Sequence, residues 1–111
     1  RMIRLTTELW AHSYITRLRL KGIPSFVTQK GDLNAGTVFV KLNTLDGLAK
    51  AYQRSFDLAS DSRSWVILSE GIELEVDKKL DKQKEYDPDI WVIEVEDKQG
   101  RHLLNEPGIS D

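Results

Sequence analysis

The sequence predicts an α+β fold: a small, mainly antiparallel sheet of about five strands with two helices packed on it, in the order α-β-β-β-β-α-β. Three observations predict it. Two segments carry apolar residues at helical spacing, around Trp10–Leu18 and Ile72–Leu80. Four short runs between them have strand character and are punctuated by glycine. A further strand-like run, Ile90–Glu96, follows the second helix. At 111 residues the chain reads as a single domain, 1–111. The helices are expected to cover one face of the sheet.

The first helix is predicted at about 7–21. A Thr of the pair Thr6-Thr7 caps its free amides, and Glu8 sits at the positive end of its dipole. Gly22 is a natural residue to follow its last turn, and Pro24 prevents continuation. Strands are predicted at Ser25–Lys30, Thr37–Asn43, Leu48–Gln53 and Ser64–Ser69, with Gly31, Gly36 and Gly47 marking turns. Connections this short predict antiparallel hairpins or a meander. The polar segment Arg54–Arg63 has no period and reads as the longest loop. In the second helix Ile72, Val76 and Leu80 form a narrow apolar stripe, Glu75–Lys79 is an i, i+4 pair, and Asp87-Pro88 ends the helix. In the following strand Trp91, Ile93 and Val95 share one face, and Val92, Glu94 and Glu96 the other. Asp97–Gly100 reads as a turn, Arg101–Leu104 as a short returning strand, and Asn105–Asp111 as a frayed end.

Composition narrows the function classes. The absence of Cys excludes a disulfide scaffold, a thiol nucleophile and Cys-based zinc sites, and it fits a reducing compartment. No apolar run approaches the ~20 residues a membrane span needs. No apolar stretch ending in a small-residue cleavage site opens the sequence. A cytoplasmic protein is expected. The net charge of −2 conceals an asymmetry: residues 1–54 hold nine Lys or Arg against three acids, and residues 55–111 hold seven against fifteen. The two halves are expected to interleave and pair their charges rather than form separate faces.

No constellation carries catalysis by itself. Asp87-Pro88-Asp89 offers carboxylates of the kind Mg²⁺ prefers, but Asp and Pro are also the residues of a helix-to-strand turn. Glu94 and Glu96 lie on one side of a strand, roughly 7 Å apart, which also fits the charged outer face of a half-buried sheet. His102 follows Gly100-Arg101, with Asp97 within reach across the turn but no nucleophile in view; His12 lies inside the first helix. The loop Lys30–Gly36 has two glycines but lacks the Lys-Ser/Thr pair and the helix that hold phosphate, so a hairpin loop is expected. Arg4, Arg17, Arg19 and Lys21 accompany Trp10 and Tyr14, but those aromatics sit at core spacing, and a pI of about 5.7 gives little attraction for nucleic acid. Trp10, Trp65 and Trp91 either fill the core or mark an interface.

Several phrases are family-like in combination. They are Arg4-Leu5-Thr6-Thr7-Glu8, Lys30-Gly31-Asp32-x-x-Ala35-Gly36-x-Val38-Phe39-Val40-Lys41, Asp87-Pro88-Asp89-Ile90-Trp91-Val92-Ile93-Glu94-Val95-Glu96-Asp97, and Gly100-Arg101-His102. The chain resembles the short bacterial proteins of domain-of-unknown-function family 1491 from Arg4 to about Leu104. The resemblance implies a small freestanding cytoplasmic protein and supplies no functional residues. The expected function is therefore a non-enzymatic binding or protein-interaction module, a homodimer or the partner of another protein, with strand edges free to pair. No cofactor, metal or membrane is expected. The alternative is a small-ligand binder or enzyme whose polar site gathers Asp32, Lys41, Trp91, Glu94, Asp97, Arg101 and His102 where the 31–36 loop and the 97–102 turn meet. The weaker alternative is nucleic-acid binding by the basic N-terminal half, with strong salt dependence.

Overall fold

Thr6 opens the first helix. Its hydroxyl accepts the amide of Leu9, and Glu8 lies in the first turn. The helix ends in a Schellman arrangement: Gly22 N–H donates to Arg19 O, Ile23 N–H donates to Leu18 O, and Gly22 takes a φ of 74° that favours glycine. A computed structural model describes residues 6–57 and 62–110. Its elements are α1 (Thr7–Leu20), β1 (Ser25–Gln29), β2 (Val38–Asn43), β3 (Leu48–Asp57), β4 (Ser62–Ile72), α2 (Glu73–Tyr86) and β5 (Trp91–Glu96). This is the α+β order that the sequence predicts.

The strands form one sheet in the order β1-β5-β2-β3-β4. The stretch β2-β3-β4 is the expected antiparallel meander. The expected hairpin between β1 and β2 does not form. Instead β5 enters between them, antiparallel to β1 and parallel to β2, with Val38 beside Trp91 and Asn43 beside Glu96. The reason is burial. The two most apolar strands take the centre, where both faces are covered, and every residue of β2 is buried. The more polar β1 is left at the edge.

Helices cover both faces rather than one. Residues 38, 40 and 42 of β2 and 91, 93 and 95 of β5 pack with Trp10, Tyr14 and Leu18 of α1. Phe39 and Val92 pack on the opposite face with Ala49, Ala51 and the Val76–Leu80 stripe of α2. A strand with apolar residues at successive positions needs a cover on each side.

Four further expectations change. Most of the predicted loop 54–63 is strand, since β3 runs to Asp57 and β4 starts at Ser62; the remaining positions lie outside the described residues. Arg101–Leu104 is not a strand, and the 105–110 segment is not frayed. Leu104 and Ile109 are buried beneath α1, and Ile109 O accepts the indole N–H of Trp10 at 3.2 Å. Arg17 holds the same segment through Glu106 at 2.9 Å. Glu75 pairs with Lys78 rather than Lys79.

Candidate functional site

The glycines of the 30–37 loop have a packing role. A Cβ on Gly31 would collide with the carbonyl oxygen of Asp89, and one on Gly36 would lie 2.6 Å from that same atom. The Asp32 N–H donates to Asp89 O at 2.9 Å, and Asp32 O accepts the Trp91 indole N–H at 2.8 Å. The Asp32 carboxylate accepts the amides of Asn34 and Ala35. Asp87 accepts the Asp89 amide at 2.9 Å. The Lys-Gly-Asp and Asp-Pro-Asp phrases are thus two turns packed backbone to backbone, where α1 also attaches through Thr7 and Gly36 O. The loop steps across β5, and this is why it is not the expected hairpin.

The polar site of the alternative reading does not assemble as one cluster. The 31–36 loop precedes β2 and β5 lies alongside in the same direction, so Asp97 emerges at the far end, some six residues or about 20 Å away. Asp32 and Trp91 meet at one end. Asp97 and Arg101 meet at the other, through two side-chain bonds of 3.0 Å, and Arg101 holds the Asp97 carboxyl below its ordinary value. Asp97 therefore serves Arg101 and not His102. The His102 ring lies tilted against Tyr52 on the α1 face, 4.8 Å between centroids, and its carbonyl accepts the Tyr14 hydroxyl at 2.8 Å. Its Nδ1 accepts the Leu104 amide, which places the neutral ring's proton on Nε2. Burial, and then the nearby Lys50 charge, push its pKa down.

Lys41 and Glu94 do come together, and they bring groups the sequence pattern did not single out. Lys41 is buried on the α2 face with its ammonium 2.7 Å from Glu73, 2.7 Å from Asp77 and 3.7 Å from Glu94. Asn43 donates to Glu73 and Glu94 from the next position on that face. Burial works against the ammonium, but the bonds from Asp77 and Glu73 and the Glu94 charge outweigh it, and the pKa rises. A lysine held this way stays charged and is not a nucleophile. Glu73 and Asp77 are an i, i+4 acid pair beside the Val76–Leu80 stripe, and a lone lysine within the apolar run of β2 is the signal that such a pair must exist. Among the described residues no cluster of His, Asp or Glu has the form of a metal site. No helix among them is long and apolar enough to cross a membrane.

Ion pairs join the basic and acidic halves, as in Arg17–Glu106, Lys41–Glu73 and Lys50–Glu70. Trp10 and Trp91 are core residues, while Trp65 is half-buried and lies 5.5 Å from Trp10, with the Arg54 guanidinium over both rings.

The edge of the sheet opposite β1 is β4. Along it Val66 is 44% exposed and Ile67 48%. Ile67 shares the α1 face with Trp65, and Val66 points to the α2 face. Ile72, Leu74 and Leu48 are also exposed at the β4–α2 junction.

Comparison with known proteins places the chain. No curated protein matches it. It is similar to the crystal structure of a DUF1491 family protein from Caulobacter crescentus CB15, with 35% identity, a TM-score of 0.85, and coverage of 94% of this chain and 98% of that one. An NMR structure of a DUF1491 family protein from the same organism is 34% identical, with a TM-score of 0.82 and coverage of 96% and 97%. The solution structure of protein Atu0922 from A. tumefaciens is 27% identical, with a TM-score of 0.73 and coverage of 85% and 86%. The family described as "Protein of unknown function (DUF1491)" matches residues 5–105, and the chain belongs to it.

Proposed function

We propose that this is a bacterial, cytoplasmic, non-enzymatic interaction module that works as a homodimer joined along β4. The observation that carries the reading is the β4 edge itself. It is an eleven-residue strand, long for an edge, with apolar side chains exposed on both faces and its outer backbone groups open to another strand. Natural edges are usually short or charged, so a long apolar one is suited to pairing. A second copy fits because the edge complements itself. In an antiparallel pairing centred on Val66, each Trp65 lies opposite the other copy's Ile67, and opposed residues share a face. The sheet would then continue through ten strands.

The test is sedimentation velocity over a concentration series, comparing the unaltered chain with Val66→Lys. A dimer that becomes a monomer on the substitution, with unchanged far-ultraviolet circular dichroism, supports the reading. An unaltered chain that sediments as a monomer at every concentration overturns it.

A further inference from the structure

We infer that the groove between α1 and β1 is a binding site for a small amphipathic organic anion, an apolar body carrying one carboxylate. The site is separate from the β4 edge, which lies on the other side of the sheet. It is a cavity of about 320 Å³, at the small end of ligand-binding clefts. Its floor is apolar: Ala11 and Ile15 from α1, Val27 from β1, and the buried ring of Trp91.

The polar groups are ordered along the groove. β1 runs back against α1 after the turn at Gly22, so Lys30 returns to the start of the helix, where Glu8 meets it at 3.8 Å. That pair closes one end with little net charge. Arg19 lines the other end, about 16 Å away along the helix at 1.5 Å per residue. Among the described residues nothing pairs with its guanidinium, in contrast to Arg17 two residues earlier, which is spent on Glu106 and Pro107. Thr16, one turn back from Arg19, and His12 stand on the rim between the ends with hydrogen-bonding groups that no described residue uses.

This arrangement selects a class of ligand. An uncommitted guanidinium beside a hydroxyl matches a carboxylate, which it can hold in bidentate fashion. The apolar floor then takes a chain or ring extending from that head towards Trp91. A neutral molecule would leave Arg19 unused. A dianion would carry charge onto Ala11 and Ile15, where nothing compensates it. Exposed apolar surface at Val27, 41% accessible, is the area such a body covers.

The experiment is an amide NMR titration of the full chain with octanoate and with octanamide, its uncharged counterpart, at constant ionic strength. Octanoate is expected to give saturable shifts confined to residues 11–19, 27–30 and the Trp91 indole N–H. Octanamide is expected to bind about tenfold more weakly, which corresponds to about 1.4 kcal/mol. Arg19→Gln, at an exposed position that leaves the fold intact, is expected to bring octanoate down to the octanamide level and to leave octanamide unchanged. Absence of saturable octanoate shifts, equal binding of the two molecules, or shifts mapping to β4 instead of the groove would each overturn the proposal. Binding in the groove by a chain that sediments as a monomer would retain this site and remove the dimer.

Discussion

The two faces of the sheet are built from alternate residues of the same strands, yet by different means. The α1 face is a continuous apolar layer in which Tyr14, Leu18 and Ile93 are fully buried, and the segment at 104–109 closes its rim. The α2 face has a smaller apolar layer, and two of the three residues it buries on β2 are polar: Phe39 is followed on that side by Lys41 and Asn43. The first face is held by volume and the second by charge balance. A defect on the α1 face leaves a void, whereas a defect on the α2 face leaves carboxylates facing one another. The faces should therefore respond to different perturbations.

The largest expected effect is on the α1 face. Ile93→Ala removes a fully buried side chain at the centre of the sheet and should cost about 3–4 kcal/mol in urea unfolding, with an unchanged denaturant slope. A loss below about 1 kcal/mol would show that this layer repacks freely and would erase the contrast. On the α2 face, Lys41→Met keeps the volume and removes the charge. It should cost about 2–3 kcal/mol, less than a fully buried pair because Glu73 and Asp77 remain partly in water. Adding Glu94→Gln to Lys41→Met should recover part of that loss, while the same change in the parent should destabilise. If the second substitution only adds to the first, charge balance is not what holds this face.

The smallest effect is one of pH. The pKa of His102 lies below the ordinary imidazole value of 6.5 in the folded chain, so the unfolded chain takes up its proton first. Its contribution to stability is complete above about pH 6.5 and is lost as pH falls towards the folded value. His102→Asn, which retains an acceptor for the Leu104 amide, should remove that part of the acid slope. An unchanged slope between pH 7 and 5 would place the titration elsewhere.

Local chemistry was legible in the sequence and long-range partnership was not. Thr6, Gly22 and Asp87-Pro88 bound the helices through interactions within a few residues of themselves, so their roles can be read in place. The neighbours of β1 and β2 depend on a strand more than fifty residues away, and short loops pointed to the wrong pairing. The ends of β3 and β4 hid for another reason. Arg54 covers Trp10 and Trp65 with its guanidinium, so a position that packs against the core reads as solvent-facing. Lys41 and Glu94 both stand among the candidate site residues of the sequence, but Glu73 and Asp77 read as ordinary charges on a solvated helix. Their inward role needs the position of α2 over β2.

The placement of β5 between β1 and β2 also orders the assembly of the chain in time. Residues 38–86 can pair strand with neighbouring strand and add α2 as a local unit, since each contact there closes a short loop. The first helix and first strand have no such option. Ser25 waits for Val95, and the Trp10 indole waits for Ile109, ninety-nine residues along. The α1 side of the core is thus completed only when that long loop closes, and its closure is expected to limit the folding rate. Until it closes, the apolar flank of β2 stays open to any extended chain that reaches it.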